Sequence, residues 1–280
     1  MALLALTLAL LAMTVATMAI TMRRLDMALN SFDDQYRGCG PAMKAELPAL
    51  NRSELQNNRL FAKGWSEAVD KWWNTGSPVS PLSSSDQAIS IMAYHEFDLH
   101  NAFNEDVSVS GRSPQAYRDK FQFKTLHFLL TDAVATLRAA QKEQGCHCVV
   151  HVDPKYKFNN ANPGDIVRFG KFALSTRCND DIERLRTPTV FQVQTCHSVD
   201  ISAFIDNPMT DVVLIPPFEK FKVTNVIDYG EKVEILLDSI GTYSKYNCEW
   251  LKGGSISQAP YHLGGLLLAT TVLAMATGIL

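Results

Sequence analysis

The chain has 280 residues, of which 46% are hydrophobic and 20% charged, enough apolar content to fill the core of one large domain or two small ones. Its net charge of -3 is spread along the sequence, which gives no sign of the concentrated basic face of a nucleic-acid binder.

Residues 1–19 read as a secretory signal, because Ala2 to Ile20 is almost wholly apolar and Thr17-Met18-Ala19 offers small residues to a signal peptidase. Arg23 and Arg24 follow the apolar run instead of preceding it, so an uncleaved signal anchor is the alternative. Asn51-Arg52-Ser53 is the single N-glycosylation sequon, and Ser53-Glu54-Leu55-Gln56 has the form of a capping box, which places the sugar at a helix start. The helix is expected from Ser53 to Trp73, with Leu55, Leu60, Phe61, Trp65, Ala68, Val69 and Trp72 on its apolar stripe and Gly76-Ser77-Pro78 as its stop. A shorter helix fits Asp86 to Phe97. A third begins at Ser113-Pro114, an N-cap followed by proline at the first helical position, runs past Leu137 and ends at Gly145.

After Cys146 the period changes to that of strands, expected at Cys148–Val152, Asp165–Phe172, Thr189–Thr195, Val212–Pro216, Phe218–Val226 and Val233–Ile240. Helices first and strands second predict an α+β fold, with residues 20–254 as one domain. The uncharged run Leu263 to Leu280 follows Gly253-Gly254-Ser255 and a short spacer. Residues 255–280 therefore read as a GPI-anchor signal with Gly253 as attachment point, a tail-anchored helix being the alternative. The six cysteines, Cys39, Cys146, Cys148, Cys178, Cys196 and Cys248, are expected to be mostly paired in an oxidising compartment, in a connectivity that spacing leaves open. Cys146-His147-Cys148 and Cys196-His197 match no closed tetrahedral zinc pattern, so no metal is expected.

Several segments, in order, carry a resemblance over nearly the whole of residues 20–254. They are Leu25-Asp26-Met27-Ala28 followed by Ser31 to Cys39, Ile89 to Tyr94, Phe121 to Phe128, Val167-Arg168-Phe169-Gly170-Lys171-Phe172, Val213 to Glu219 and Tyr246-Asn247-Cys248. In these the chain resembles the vertebrate ecto-ADP-ribosyltransferases, arginine-specific and usually GPI-anchored proteins that split NAD or NADP and transfer ADP-ribose to proteins. The resemblance implies a helical N-terminal part beside two roughly perpendicular β-sheets that form an NAD cleft. It also implies disulfides Cys39–Cys248 and Cys146–Cys196, protein arginines as acceptors, and residence on the outer face of the plasma membrane. Cys148 and Cys178 are then extra, either paired with each other or leaving a reactive thiol.

Cleaving the nicotinamide–ribose bond builds positive charge on the ribose, which a fixed carboxylate must stabilise. By resemblance the family supplies it as the second Glu of a Glu-x-Glu motif, whose positions fall here on Thr210 and Val212. The family's phosphate-binding arginine falls on His151, a weaker ligand for pyrophosphate when neutral. Its serine falls on Leu174. Asp211, Ser175 and Thr176 are the substitutes to consider, and Asp211 reaches the site only if a bulge shifts the strand by one residue. His151, Phe172 and Thr176 are the candidates for contact with NAD, and Glu219 reads as a structural carboxylate. The altered positions point to weak or no transfer, and the alternative reading is a catalytically inactive surface protein that retains the fold for binding or display.

Overall fold

The structure is a computed structural model and describes residues 21–76, 80–141, 145–178, 185–205 and 211–253. The expected signal, the anchor signal and Thr210 lie outside the described residues.

Strand β1 (Thr21–Arg24) precedes six helices: α1 (Gly40–Asn57), α2 (Arg59–Thr75), α3 (Ser85–His95), α4 (Phe97–Ser110), α5 (Pro114–Lys120) and α6 (Lys124–Ala140). Nine strands follow: β2 (His147–Asp153), β3 (Tyr156–Asn159), β4 (Ile166–Val167), β5 (Ala173–Arg177), β6 (Thr189–Thr195), β7 (Val199–Asp200), β8 (Val212–Ile215), β9 (Glu219–Asp228) and β10 (Val233–Thr242). A short helix α7 (Glu249–Lys252) closes the described chain. β1 and β3 form a parallel pair, and the other strands form one sheet in the order β4-β9-β10-β6-β2-β5-β8-β7. The α+β class expected from the sequence is what the chain shows.

Three helix boundaries differ from the sequence reading, for identifiable reasons. Ser53 does not start a helix, because the Ser53–Gln56 box and Asn51 lie inside α1; the sequon is therefore within a helix and not at its start. The break comes at Asn58, whose extended backbone and side-chain oxygen, accepting from Phe61 N–H at 3.0 Å, make it the N-cap of α2. Gly76, in the left-handed conformation, ends α2 as expected. The long helix from Ser113 is two helices, and the second stops at Ala140 rather than at Gly145. Ser113 caps α5 through Ala116 N–H at 3.1 Å, whereas α6 is started by a residue distant in sequence. Buried Glu54 of α1 accepts the N–H groups of Lys124 at 2.7 Å and Thr125 at 2.9 Å, satisfying donors that the first turn of α6 leaves open.

The strand expected over Asp165–Phe172 shrinks to the two residues of β4 because Arg168 turns inward. Its guanidinium is fully buried, paired with Asp33 at 2.7 Å, and also donates to the carbonyls of Met27, Ala28 and Tyr243. Asp33 in turn accepts from Lys245 N–H and Tyr246 N–H, while Asp34 accepts from Cys248 N–H and Glu249 N–H. The Cys39–Cys248 disulfide closes the same junction between the two ends of the domain.

Two hydrophobic clusters divide the interior. One joins the helices to Phe172, Val199, Ile201, Phe204 and Leu214. The other lies on the opposite side of the sheet and holds Val149, Ala173, Phe191, Val193, Val213, Ile215, Phe221 and Ile235. Strands β5 and β8 stand between them with alternate residues facing each cluster, as the two-residue strand period requires.

Candidate functional site

The three positions singled out in the sequence come together on three neighbouring strands, His151 on β2, Leu174 on β5 and Val212 on β8. In β5 and β8 Leu174 is opposite Leu214 and Thr176 opposite Val212, with no break in register from Ala173↔Ile215 onward. Leu174 and Val212 are partly buried and pack against the helical cluster. The backbone of Val212 is fixed on its other edge, donating to Ser202 Oγ at 2.9 Å and accepting from Ile201 N–H at 2.9 Å. The position that the resemblance aligns with the family's carboxylate thus holds an aliphatic side chain on a strand hydrogen-bonded at its other edge.

His151 is buried, and its Nδ1 lies 2.8 Å from the carbonyl oxygen of Leu174. A carbonyl only accepts, so Nδ1 carries the proton and the ring is held as one tautomer. Burial first, and then the positive charge of Lys171, lower its pKa to about 4, which leaves it neutral near pH 7. Phe169 packs edge-on to the ring at 5.0 Å, and Phe191 lies parallel at 5.9 Å.

The substitute residues sit as follows. Asp211 is exposed and its Oδ2 lies 3.5 Å from Arg177 Nε. The unbroken register gives no bulge that would turn it to the side of Val212. Ser175 is buried on β5 opposite Val213, and its Oγ has no hydrogen-bond partner among the described residues. Thr176 is exposed beside Val212. Phe172 is fully buried among Tyr94, Phe103 and His127, so its ring belongs to the helical core. Glu219 is fully buried and accepts from Thr195 Oγ1, Cys196 N–H, His197 N–H and Ser239 Oγ at 2.7 to 3.1 Å, the structural place expected of it.

The disulfides Cys39–Cys248 and Cys146–Cys196 are both present. Cys148 and Cys178 pair with each other, tying β2 to the residue after β5 at one end of the site. The cysteines weighed as zinc ligands are thus committed to disulfides. Gly253 is exposed immediately after α7.

One residue close to His151 escaped the sequence reading. Lys171 follows Gly170, whose φ of +62° and whose approach to Ala28 and Ser31, where a Cβ would come within 2.3 Å, leave room only for glycine. Its ammonium is partly exposed, with Asp153 Oδ2 at 3.7 Å as its partner. The signal for it is a single lysine inside the Arg168 to Phe172 motif, and its neighbours come from β1, β2, β3 and α4. Lys171 gives this place a partly exposed cation, and Val212, at the position the resemblance aligns with the family's carboxylate, is aliphatic.

Residues 25–245 match the family described as NAD:arginine ADP-ribosyltransferase. The erythroblast NAD(P)(+)--arginine ADP-ribosyltransferase of Gallus gallus is 42% identical over 239 residues, covering 84% of this chain and 79% of that protein. The GPI-linked NAD(P)(+)--arginine ADP-ribosyltransferase 1 of Homo sapiens is 36% identical over 272 residues, covering 92% and 83%. The crystal structure of the eukaryotic mono-ADP-ribosyltransferase ART2.2 superimposes with a TM-score of 0.66 at 29% identity, over 81% of this chain and 98% of that one. A variant of ART2.2 with a glutamate changed to isoleucine, in complex with NAD, superimposes with a TM-score of 0.65 over the same shares. In sequence and in fold, the chain belongs to the arginine-specific, NAD-dependent mono-ADP-ribosyltransferase family.

Proposed function

We propose that this chain binds NAD at the cell surface and transfers ADP-ribose to protein arginines slowly. The observation that carries the proposal is the family match along residues 25–245 together with the apolar Val212 in the carboxylate position. In the reaction the bond between ribose C1′ and the nicotinamide nitrogen breaks, nicotinamide leaves with the electron pair, and a guanidinium nitrogen of the acceptor bonds to C1′ and loses a proton. A valine stabilises none of the positive charge on the ribose. Losing one preorganised group of this kind lowers the rate about a hundred- to a thousandfold. Losses at His151 and Leu174 do not simply multiply with it, because groups acting as a unit are non-additive.

Binding is less affected than chemistry in this reading. ART2.2 with a glutamate replaced by isoleucine forms a complex with NAD, so in that protein the carboxylate removed is not required for the nucleotide to be held. Removal of residues 1–19 and 255–280 and GPI attachment at Gly253 would put the domain on the outer face of the plasma membrane. The GPI-linked relatives support this. Asn51 is the proposed glycosylation site.

A second reading, retention of the fold for binding or display without transfer, is favoured by one observation: both Leu174 and Val212 pack against the helical cluster. Incubation with labelled NAD and an arginine-rich acceptor separates the two. Slow labelling by the unmodified chain supports transfer, and its loss in Asp211→Ala would make Asp211 the working carboxylate. Absence of any labelling, with NAD still bound, supports the second reading.

A further inference from the structure

The segment Lys171 to Leu174 is gripped from both sides. From the helical side, Tyr94 Oη donates to the carbonyl of Phe172 at 2.7 Å, and Asn104 Nδ2 donates to the same oxygen at 3.0 Å. Asn104 also touches His100 Nε2 at 3.3 Å, and the His100 ring lies 4.7 Å from that of Tyr94. From the sheet side, His151 Nδ1 holds the carbonyl of Leu174. Two histidines and a lysine are thus brought around four residues of backbone. His151 donates its one proton to that carbonyl and His100 Nδ1 is buried, so the cation of Lys171 is what this place offers an anion. The partner of Lys171 stands at 3.7 Å, outside hydrogen-bonding distance, and the other oxygen of Asp153 is taken by Lys155 N–H and Tyr156 N–H.

Two more cations flank this place. Arg23 lies 5.1 Å from the centre of the Tyr156 ring, and Lys155 Nζ lies 5.1 Å from it as well. Asp153 is the carboxylate paired with Lys171, so the surroundings carry net positive charge. Burial, opposed by Asp153, lowers the pKa of Lys171, and a bound anion would favour its charged form.

We propose that Lys171, with Arg23 at its rim, binds the diphosphate of NAD in this chain, in the role that the family's arginine would have at position 151. The proposal rests on the reading that the chain binds NAD. A lysine holds phosphate as a point charge rather than through a planar fork, so it can serve from a neighbouring strand without the arginine's bidentate geometry.

Calorimetry on the full chain with three probes, NAD, inorganic pyrophosphate and nicotinamide riboside, tests it. Lys171→Ala should weaken NAD and pyrophosphate by about tenfold or more, the usual scale for one charge-assisted hydrogen bond, while riboside binding is unchanged. Lys171→Arg should keep NAD within a fewfold. Asp153→Asn, which retains an oxygen for the Lys155 and Tyr156 amides, should leave NAD binding intact or tighter; a structural role of the Lys171–Asp153 pair would instead make both variants lose equally. Unchanged NAD affinity in Lys171→Ala overturns this inference alone. Failure of the unmodified, folded chain to bind NAD overturns it together with the functional reading.

Discussion

Two regions of the molecule treat polar chemistry in opposite ways. In the frame, Asp33, Asp34 and Arg168 at the junction of the chain ends, Glu54 at the start of α6 and Glu219 on β9 are buried, each satisfied by more than one hydrogen bond. In the seam of β2, β5 and β8, the positions that the resemblance aligns with the family's charged and hydroxyl groups hold a neutral histidine and two aliphatic side chains packed on the helical cluster. The contrast separates two reasons for a motif to persist. Removing one partner of a buried polar network destabilises the fold by several kcal/mol, whereas replacing a catalytic group with a packed apolar one costs activity and leaves stability largely intact.

That contrast can be broken most forcefully at Asp33. Asp33→Ala leaves Arg168 buried without its carboxylate and should lower the unfolding free energy by about 3 to 5 kcal/mol, read from denaturant melts. If the loss were below about 1 kcal/mol, the frame would not be what holds the ends together. Glu219→Ala orphans the donors of Thr195, Cys196, His197 and Ser239, and on the order of 3 kcal/mol is expected in the same melts.

The fold was largely legible in the sequence, and the failures have local causes. β6 falls on the expected residues Thr189–Thr195, because its alternation is regular and its neighbours on both sides are strands. α4 was missed because His100, Asn101, Asn104, Glu105 and Asp106 dilute its apolar stripe, although Leu99, Phe103 and Val107 keep helical spacing. The start of α6 could not be read at all, since the residue that satisfies it, Glu54, is about 70 positions away. For the site, the resemblance singled out His151, Leu174 and Val212, and only the structure shows that their strands adjoin. The resemblance could not reveal Lys171, whose meaning depends on Asp153, His151 and the α4 side chains meeting in space.

Acid sharpens the comparison by a smaller amount. Burial is the first cause that holds His127 at a pKa of about 3 and His100 and His151 at about 4, against an ordinary value near 6.5. The unfolded chain therefore takes up these protons first. Stability is fully present above about pH 6.5 and is lost as pH falls from there to about 4, by up to about 1.4 kcal/mol per pH unit for each histidine. Burial raises Asp34 and Glu54, which act in the opposite direction from about pH 4 upward, so their stabilising part grows as pH falls. Denaturant melts at pH 7.5, 6.5 and 5.5 should show the decline, and a flat profile would contradict neutral burial of the histidines. Smallest of all, Asn58→Ala removes the cap of α2 and should cost about 1 kcal/mol in the same assay.

The measurement that bears most directly on the central claim is the rate of ADP-ribose transfer to an arginine-rich acceptor by the unmodified chain and by a Thr210→Glu/Val212→Glu variant, with NAD affinity measured for both. A sound frame and NAD site with only the seam altered predicts similar affinity and a gain of about a hundred- to a thousandfold in transfer. Equal rates in the two folded proteins would contradict it, by showing that the missing carboxylates are not what limits this chain.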